Sequence, residues 1–174
     1  MSVIESYRYN GVYLMSVLPI AITILEHDGK FLFIKRVKPP YENLWSLVGG
    51  KVNLGEHVAH AAIREIKEET GVIDVTDYSL RGFVSERLLN SDSELISQFL
   101  IFVGYAEITS FSRANREGEL SLFTIDDINT QAVNFLPSDL KMFTSFYKLP
   151  LEHIFYEAEL IHDDGYHLNY FRRS

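Results

Sequence analysis

Cysteine is absent from this sequence. With it go disulfide bonds, thiolate nucleophiles and cysteine-based zinc sites, and the chain suits a reducing compartment such as the cytoplasm. Cations are in deficit: 16 Lys and Arg stand against 24 Asp and Glu, a net charge of −8. A surface of that sign repels polyanions, so long nucleic acid is not an expected partner. A small phosphorylated ligand stays compatible, because a bound divalent ion or a few local Lys and Arg can reverse the potential inside one cleft. Long apolar runs are missing as well. The stretch from Val12 to Leu25 is broken by Ser16, Pro19 and Thr23, is too short to cross a bilayer, and lacks the basic flank and cleavage site of a secretion signal. No membrane association is expected. Repeats, low-complexity tracts and linkers are also lacking, so residues 1–174 read as one domain. What is present is material for a core, with 47% hydrophobic and 13% aromatic residues.

The pattern along the chain predicts alternating strands and helices. Ile20 to Leu25 and Phe31 to Arg36 flank Glu26-His27-Asp28-Gly29-Lys30 and predict a hairpin. Pro39-Pro40 ends regular pairing before Leu44-Trp45-Ser46-Leu47. From His57 to Thr70 there is no Gly or Pro; Val58, Ala62 and Ile66 recur every four residues, and Gly71 supplies a stop, which together predict a helix. Strands are expected over Ser79 to Leu88, Gln98 to Ile108 and Leu120 to Ile125, with a loop over Thr109 to Gly118 and an acidic turn at Asp126-Asp127. Leu136, Leu140, Phe143 and Tyr147 share a helical face behind Pro137-Ser138-Asp139, a good helix start. A last hairpin is expected around His162-Asp163-Asp164-Gly165, within 153–171.

The chemistry concentrates between Gly50 and Val72, where the sequence is GKVNLGEHVAHAAIREIKEETGV. A helix advances about 100° per residue, so Glu65, Glu68 and Glu69 fall within an arc of about 100°. Like charges so placed repel on an ordinary surface helix. A divalent cation removes that penalty, and carboxylate oxygens are the hard ligands Mg²⁺ takes alongside water and substrate phosphate. An acidic amphipathic helix with a glycine stop would account for Glu68, Glu69 and Gly71, but not for the whole spacing.

That spacing, G-x5-E-x7-R-E-U-x-E-E-x-G-U with U aliphatic, is met by Gly50, Glu56, Arg64, Glu65, Ile66, Glu68, Glu69, Gly71 and Val72. The segment resembles the Nudix hydrolase box at every defined position. The resemblance implies an α/β/α sandwich with a mixed β-sheet between helices. It also implies hydrolysis of a phosphoanhydride bond in a nucleoside diphosphate derivative or a nucleoside triphosphate, with Mg²⁺ as cofactor and Mn²⁺ as the alternative ion. By the same resemblance Glu65, Glu68 and Glu69 hold metal, Arg64 has a structural role with its guanidinium holding Glu56 in position by paired bonds, and the carbonyl of Gly49 completes the metal shell. A non-catalytic nucleotide sensor and a processor of RNA 5′ ends are the alternatives; the intact box argues against the first and the acidic charge against the second.

Outside the box the family places a further acidic residue, a metal ligand or general base, in a loop before a later strand, and the resemblance makes Glu117 and Glu119 the candidates for it here. Trp45 is expected in the core, and Tyr41 or Phe83 could stack on a base. Lys35, Arg36, Lys38, Arg81 and Arg87 are cations available to phosphate, with a solvated surface the commoner role. His57 and His60, one helical turn apart, lack a third nitrogen ligand for zinc. Val48 and Asn53 depart from proline and glutamate at places the box does not define. The N-terminal segment Met1 to Leu18 and the last hairpin are additions that would cover substrate or pair two copies as a homodimer.

Overall fold

The computed structural model describes residues 7–9, 12–14, 16–38, 41–112, 118–148 and 154–173. The first hairpin forms as expected, from β3 (Val17–His27) and β4 (Lys30–Arg36), preceded by a separate two-stranded sheet of β1 (Tyr7–Tyr9) and β2 (Val12–Leu14). β3 and β4 pair only near their turn, from Leu25↔Leu32 to His27↔Lys30. Beyond it they splay, and the segment holding β5 (Trp45–Ser46) and β6 (Val48–Lys51) enters between them, β5 pairing with β4 and β6 with β3. Gly49 and Gly50 are thereby brought against Ile22 and Ala21 in the interior of the sheet.

On the other side of β3 lies β8 (Leu95–Ile108), parallel to it, and then β7 (Val75–Asn90), antiparallel to β8. Both strands run longer than the sequence pattern indicates: ladder pairing carries β7 through the polar Thr76 and Asn90, and β8 back to Leu95, paired with Leu89. β9 (Gly118–Phe123) pairs with β4 and starts at Gly118, which the pattern assigns to a loop. The last hairpin, β10 (Ile154–His162) and β11 (Tyr166–Arg173), is not an appendage: β10 runs parallel to β7 and extends the main sheet to nine strands.

Alternation along the strands creates two apolar faces. Ala21, Leu25, Leu32, Ile34 and Val48 face the helix α1 (Val58–Thr70) through its Ala61, Ala62 and Ile66. Ile22, Ile24, Phe31 and Phe33 face the other way, onto Met142, Phe143 and Phe146 of α3 (Pro137–Phe146). A mixed sheet between helices is the layer order expected. The acidic turn at Asp126-Asp127 is instead the short helix α2 (Ile125–Asn129). Thr124 Oγ1 accepts from the Asp127 N–H at 3.1 Å and Asp127 Oδ2 accepts from the Thr124 N–H at 2.9 Å, a reciprocal cap that makes helix the better local choice. It also ends β9 at Phe123, short of the expected Ile125. Among the described residues no helix is long and apolar enough to cross a membrane.

Candidate active site

Helix α1 follows directly from the sheet insertion and ends at Gly71, whose N–H bonds the Lys67 carbonyl at 3.0 Å. Its acidic face lies over β6, where Gly50 lets the helix come close and Gly49 lets β6 lie against β3. A Cβ on Gly50 would stand 2.6–2.7 Å from the Glu65 carboxyl group. On Gly49, at φ +152°, it would meet the Ala21 carbonyl oxygen at 2.2 Å. The Gly49 N–H in turn donates to Glu69 Oε2 at 2.9 Å.

Arg64 organises the rest. Its Nε and Nη2 donate to the two oxygens of Glu56 at 2.9 Å each, the paired geometry in which guanidinium binds carboxylate best. Nη1 donates to Glu65 Oε1 at 2.6 Å and to Glu68 Oε2 at 3.3 Å, and Nη2 also reaches the Lys51 carbonyl at 2.9 Å. The Arg64 bonds, helped by the Asn53 N–H, pull the Glu56 carboxyl down to about 2. Burial pushes Glu65 the other way, above its ordinary value, against the pull of Arg64. The α1 carboxylates are therefore unequal. Glu69 is buried, Glu65 is half-buried and held by the guanidinium, and Glu68 is the exposed one, at 60%.

These residues fit a divalent ion in the way Mg²⁺ is usually held, by one or two carboxylates with the remaining oxygens from backbone, water and substrate. Hard oxygen donors on Glu65 and Glu69 stand beside the Gly49-Gly50 backbone, and Glu68 adds an exposed carboxylate bonded to the same Arg64 as Glu65. Among the described residues no group of three or more acidic or histidine side chains converges to hold a metal by side chains alone. Glu117 lies outside the described residues. Glu119 is exposed on β9 opposite Lys35, on the Phe123 side of the strand rather than the Leu120 side that packs toward α1. No described hydrogen bond or ion pair joins it to the α1 carboxylates. His57 and His60 have their rings edge to face, 5.6 Å apart.

On the opposite face of the sheet, a cavity of about 180 Å³ reaches the same glycines. Ile20 and Ile22 of β3, with Phe99 and Ile101 of β8, form its apolar wall. Arg36, Tyr41, Glu86 and Asp139 supply its polar groups. Pro137-Ser138-Asp139 open α3 as expected, and Asp139, in its first turn, turns its side chain to the strand insertion: Oδ2 accepts the Leu47 N–H at 2.8 Å, tying the two together. The Leu136 N–H to Trp45 carbonyl bond, 2.8 Å, does the same from the backbone, and Trp45 is buried in the core as expected. Glu86 is 2% exposed. Burial, and then the nearby Asp139, push its carboxyl up to about 8, while burial raises Asp139 to about 6. The hydroxyls of Tyr41 and Ser138 pull Glu86 back, yet Glu86 Oε2, Tyr41 Oη, Ser138 Oγ and Arg36 Nε are all buried without a hydrogen bond of acceptable geometry.

Tyr41 adopts φ +72°, a costly conformation for an aromatic residue. Its N–H donates to Tyr166 Oη at 3.2 Å, and the two rings lie 4.8 Å apart. The C-terminal hairpin thus props one wall of the cavity. Of the other flagged residues, Phe83 packs on Phe102, Arg81 lies over the Tyr105 ring, and Arg87 pairs with Glu159. Glu86 and Asp139 carry no motif, but Glu86 interrupts an inward alternation of Val84 and Leu88, and a charge at such a position is the signal that points to it.

A layered α/β/α fold, with a glutamate-bearing helix clasped by one arginine over a two-glycine strand, defines the structural class. Residues 15–146 match the NUDIX domain model. The chain belongs to the Nudix hydrolase family, whose members generally use a divalent metal. It is 52% identical over 50 residues to an ADP-ribose pyrophosphatase of Methanocaldococcus jannaschii, a match covering 29% of this chain and only 30% of that protein. An uncharacterised Nudix hydrolase of Bacillus subtilis is 29% identical over 120 residues, covering 67% of this chain and 70% of the relative. Among solved structures, the MutT protein of Bacillus halodurans superposes with a TM-score of 0.74 at 19% identity, covering 91% of this chain and 98% of the other, which supports the fold.

Proposed function

We propose that this chain is a divalent-metal-dependent pyrophosphohydrolase that splits a phosphoanhydride bond in a nucleoside diphosphate derivative or a nucleoside triphosphate. The observation that carries the reading is the Arg64 clasp. One guanidinium holds Glu56 by two bonds and Glu65 by a third while anchoring on the Lys51 carbonyl, so the acidic face of α1 is oriented before any ligand arrives. Glu65, Glu68 and Glu69, with the Gly49 carbonyl, are the groups that would hold metal. When bound there, a divalent ion, Mg²⁺ or Mn²⁺, supplies charge neutralisation of the phosphoryl oxygens and a water of lowered pKa. Glu56 binds no metal in this scheme and serves as the anchor that keeps the Arg64 side chain extended.

The test is product release from ADP-ribose, NADH, coenzyme A, dinucleoside polyphosphates and nucleoside triphosphates in Mg²⁺ or Mn²⁺. Glu68→Gln and Glu69→Gln should each lower turnover by at least about 100-fold, since even groups behind metal ligands contribute about 10–100-fold. Near-normal turnover in both variants would sink the reading. Nucleotide binding with no product from any compound would put the chain with non-catalytic sensors instead.

A further inference from the structure

The C-terminal hairpin has no part in the chemistry derived so far, and it lies wholly beyond the residues 15–146 that match the family. It is nevertheless built into the sheet. β10 pairs with β7 along its whole length, from Ile154↔Gly82 to His162↔Asn90, and its Ala158 and Leu160 are buried in the same core as Phe143 and Phe146 of α3. That ladder carries the start of β11 to the loop joining β4 to β5. Tyr166, the first residue of β11, stacks on His162 across the turn with ring centroids 4.6 Å apart. It also meets the Tyr41 ring at 4.8 Å, and its hydroxyl accepts the Tyr41 N–H at 3.2 Å. Tyr41 needs that hold, because a φ of +72° persists in an aromatic residue only where the surroundings over-determine it. Pro39 and Pro40 carry no N–H, so the Tyr41 N–H is the first backbone donor the loop offers after Lys38, and it goes to the hairpin. The Tyr41 side chain points the other way. It is buried, lines the cavity beside Arg36, Gly49 and Gly50, and its hydroxyl acts on the Glu86 carboxyl.

We propose that Tyr166 is a positioning residue for substrate binding: by fixing the backbone of Tyr41 it holds the wall met by the part of the nucleotide beyond the diphosphate, so that affinity depends on a hairpin outside the family domain. The cavity that Tyr41 lines also reaches Gly49, Gly50 and Lys51, so a molecule whose diphosphate lies on the box extends toward that wall. The proposal rests on the box as the diphosphate site. Without the bond to its N–H and the contact to its ring, Tyr41 is free to relax to a negative φ, which swings its side chain off the wall. The Arg64 clasp and the α1 carboxylates, across the sheet, keep their own bonds. The loss therefore falls on binding and not on the chemical step.

The experiment measures binding of the α,β-methylene diphosphates of adenosine, guanosine, cytidine and uridine to the full chain by calorimetry in Mg²⁺, with a thermal melt of each variant. Tyr166→Ala removes both the ring and the hydroxyl and should weaken the tightest of these analogues about tenfold or more. Tyr166→Phe keeps the ring contact and should weaken it about fivefold. Arg172→Ala breaks the pair with Glu157 and the contact with the Tyr170 ring at the far end of the same strand, and should leave affinity unchanged. It separates a hairpin that is merely loosened from a wall that is lost. If the alanine variant does not fold, the phenylalanine variant decides. Unchanged affinity in the folded Tyr166 variants, an equal loss in Arg172→Ala, or no binding by any analogue overturns the proposal. Where natural nucleotides are hydrolysed, the Tyr166 variants should raise KM and keep kcat within about twofold, and a fall in kcat alone counts equally against it. Affinities that respond as stated, with no product from any nucleotide, leave this inference standing and remove the pyrophosphohydrolase reading.

Discussion

On one face of the sheet Glu56 and Glu65 share a guanidinium, and Glu56 is ionised far into acid. On the other face Glu86 and Asp139 sit in an apolar wall with no cation bonded to them, and both are pushed toward the neutral form. The same functional group is thus tuned in opposite directions a few residues from one glycine pair. Paired bonds from a guanidinium keep Glu56 anionic, whereas burial without such bonds pushes Glu86 and Asp139 toward the neutral form; Glu65, half-buried against Arg64, is moved in that same upward direction.

Breaking the first environment should have the largest effect. Arg64→Ala removes the two bonds to Glu56, the bond to Glu65 and the anchor on Lys51, and should cut kcat/KM by about 100–1,000-fold, or about 3–4 kcal/mol. Arg64→Lys should not restore it, because a point charge cannot make the paired bonds. Steady-state kinetics beside a thermal melt checks this: full activity in the alanine variant would mean the clasp is only structural.

The junction between the faces comes next. Gly49→Ala sets a methyl group 2.2 Å from the Ala21 carbonyl oxygen, a rigid backbone atom, and should cost about 3 kcal/mol of stability. Gly50→Ala meets the movable end of Glu65 and should lower activity more than stability. Paired urea unfolding and turnover measurements on the two variants separate them, and equal stability losses would refute the distinction.

This contrast also marks what was legible in the sequence. The α1 face was readable because helical geometry alone converts the spacing of Glu65, Glu68 and Glu69 into proximity. The layers followed from alternation and from the Pro137 helix start. The entry of Trp45 to Lys51 between β3 and β4 was not readable, since it depends on strands that pair near their turn and then part. Nor was the cavity, whose polar groups come from Arg36, Tyr41, Glu86 and Asp139 in four separate segments joined only by the sheet and α3. α2 was missed because a capping residue, Thr124, outweighed the turn tendency of two aspartates.

The pH dependence of stability sharpens the comparison. Glu86 titrates near 8 when folded and near 4.5 when unfolded, so between those values the folded state binds the extra proton and stability falls as pH rises. Asp139 acts in the same sense between 3.8 and about 6. Glu56 has the opposite sign: folded near 2 and unfolded near 4.5, it adds stability that is lost as pH falls through that range. Stability should therefore peak in mild acid. Glu86→Gln should flatten the decline toward pH 8 by up to about 4 kcal/mol, and urea midpoints across pH 4–9 that fall equally in both proteins would contradict the assignment.

The smallest expected effect lies at the cavity wall. Tyr166→Phe deletes the hydroxyl that accepts the Tyr41 N–H but keeps the ring contact, so it should cost about 1 kcal/mol. Because Tyr41 is held at a costly backbone angle by that contact, the loss should appear mainly as weaker nucleotide binding, with kcat nearly unchanged. The Arg64 network lies across the sheet and shares no hydrogen bond with Tyr166. Combining Tyr166→Phe with Arg64→Ala should then give additive free energies in kcat/KM, and a coupling above about 0.5 kcal/mol would show that the two faces act as one unit.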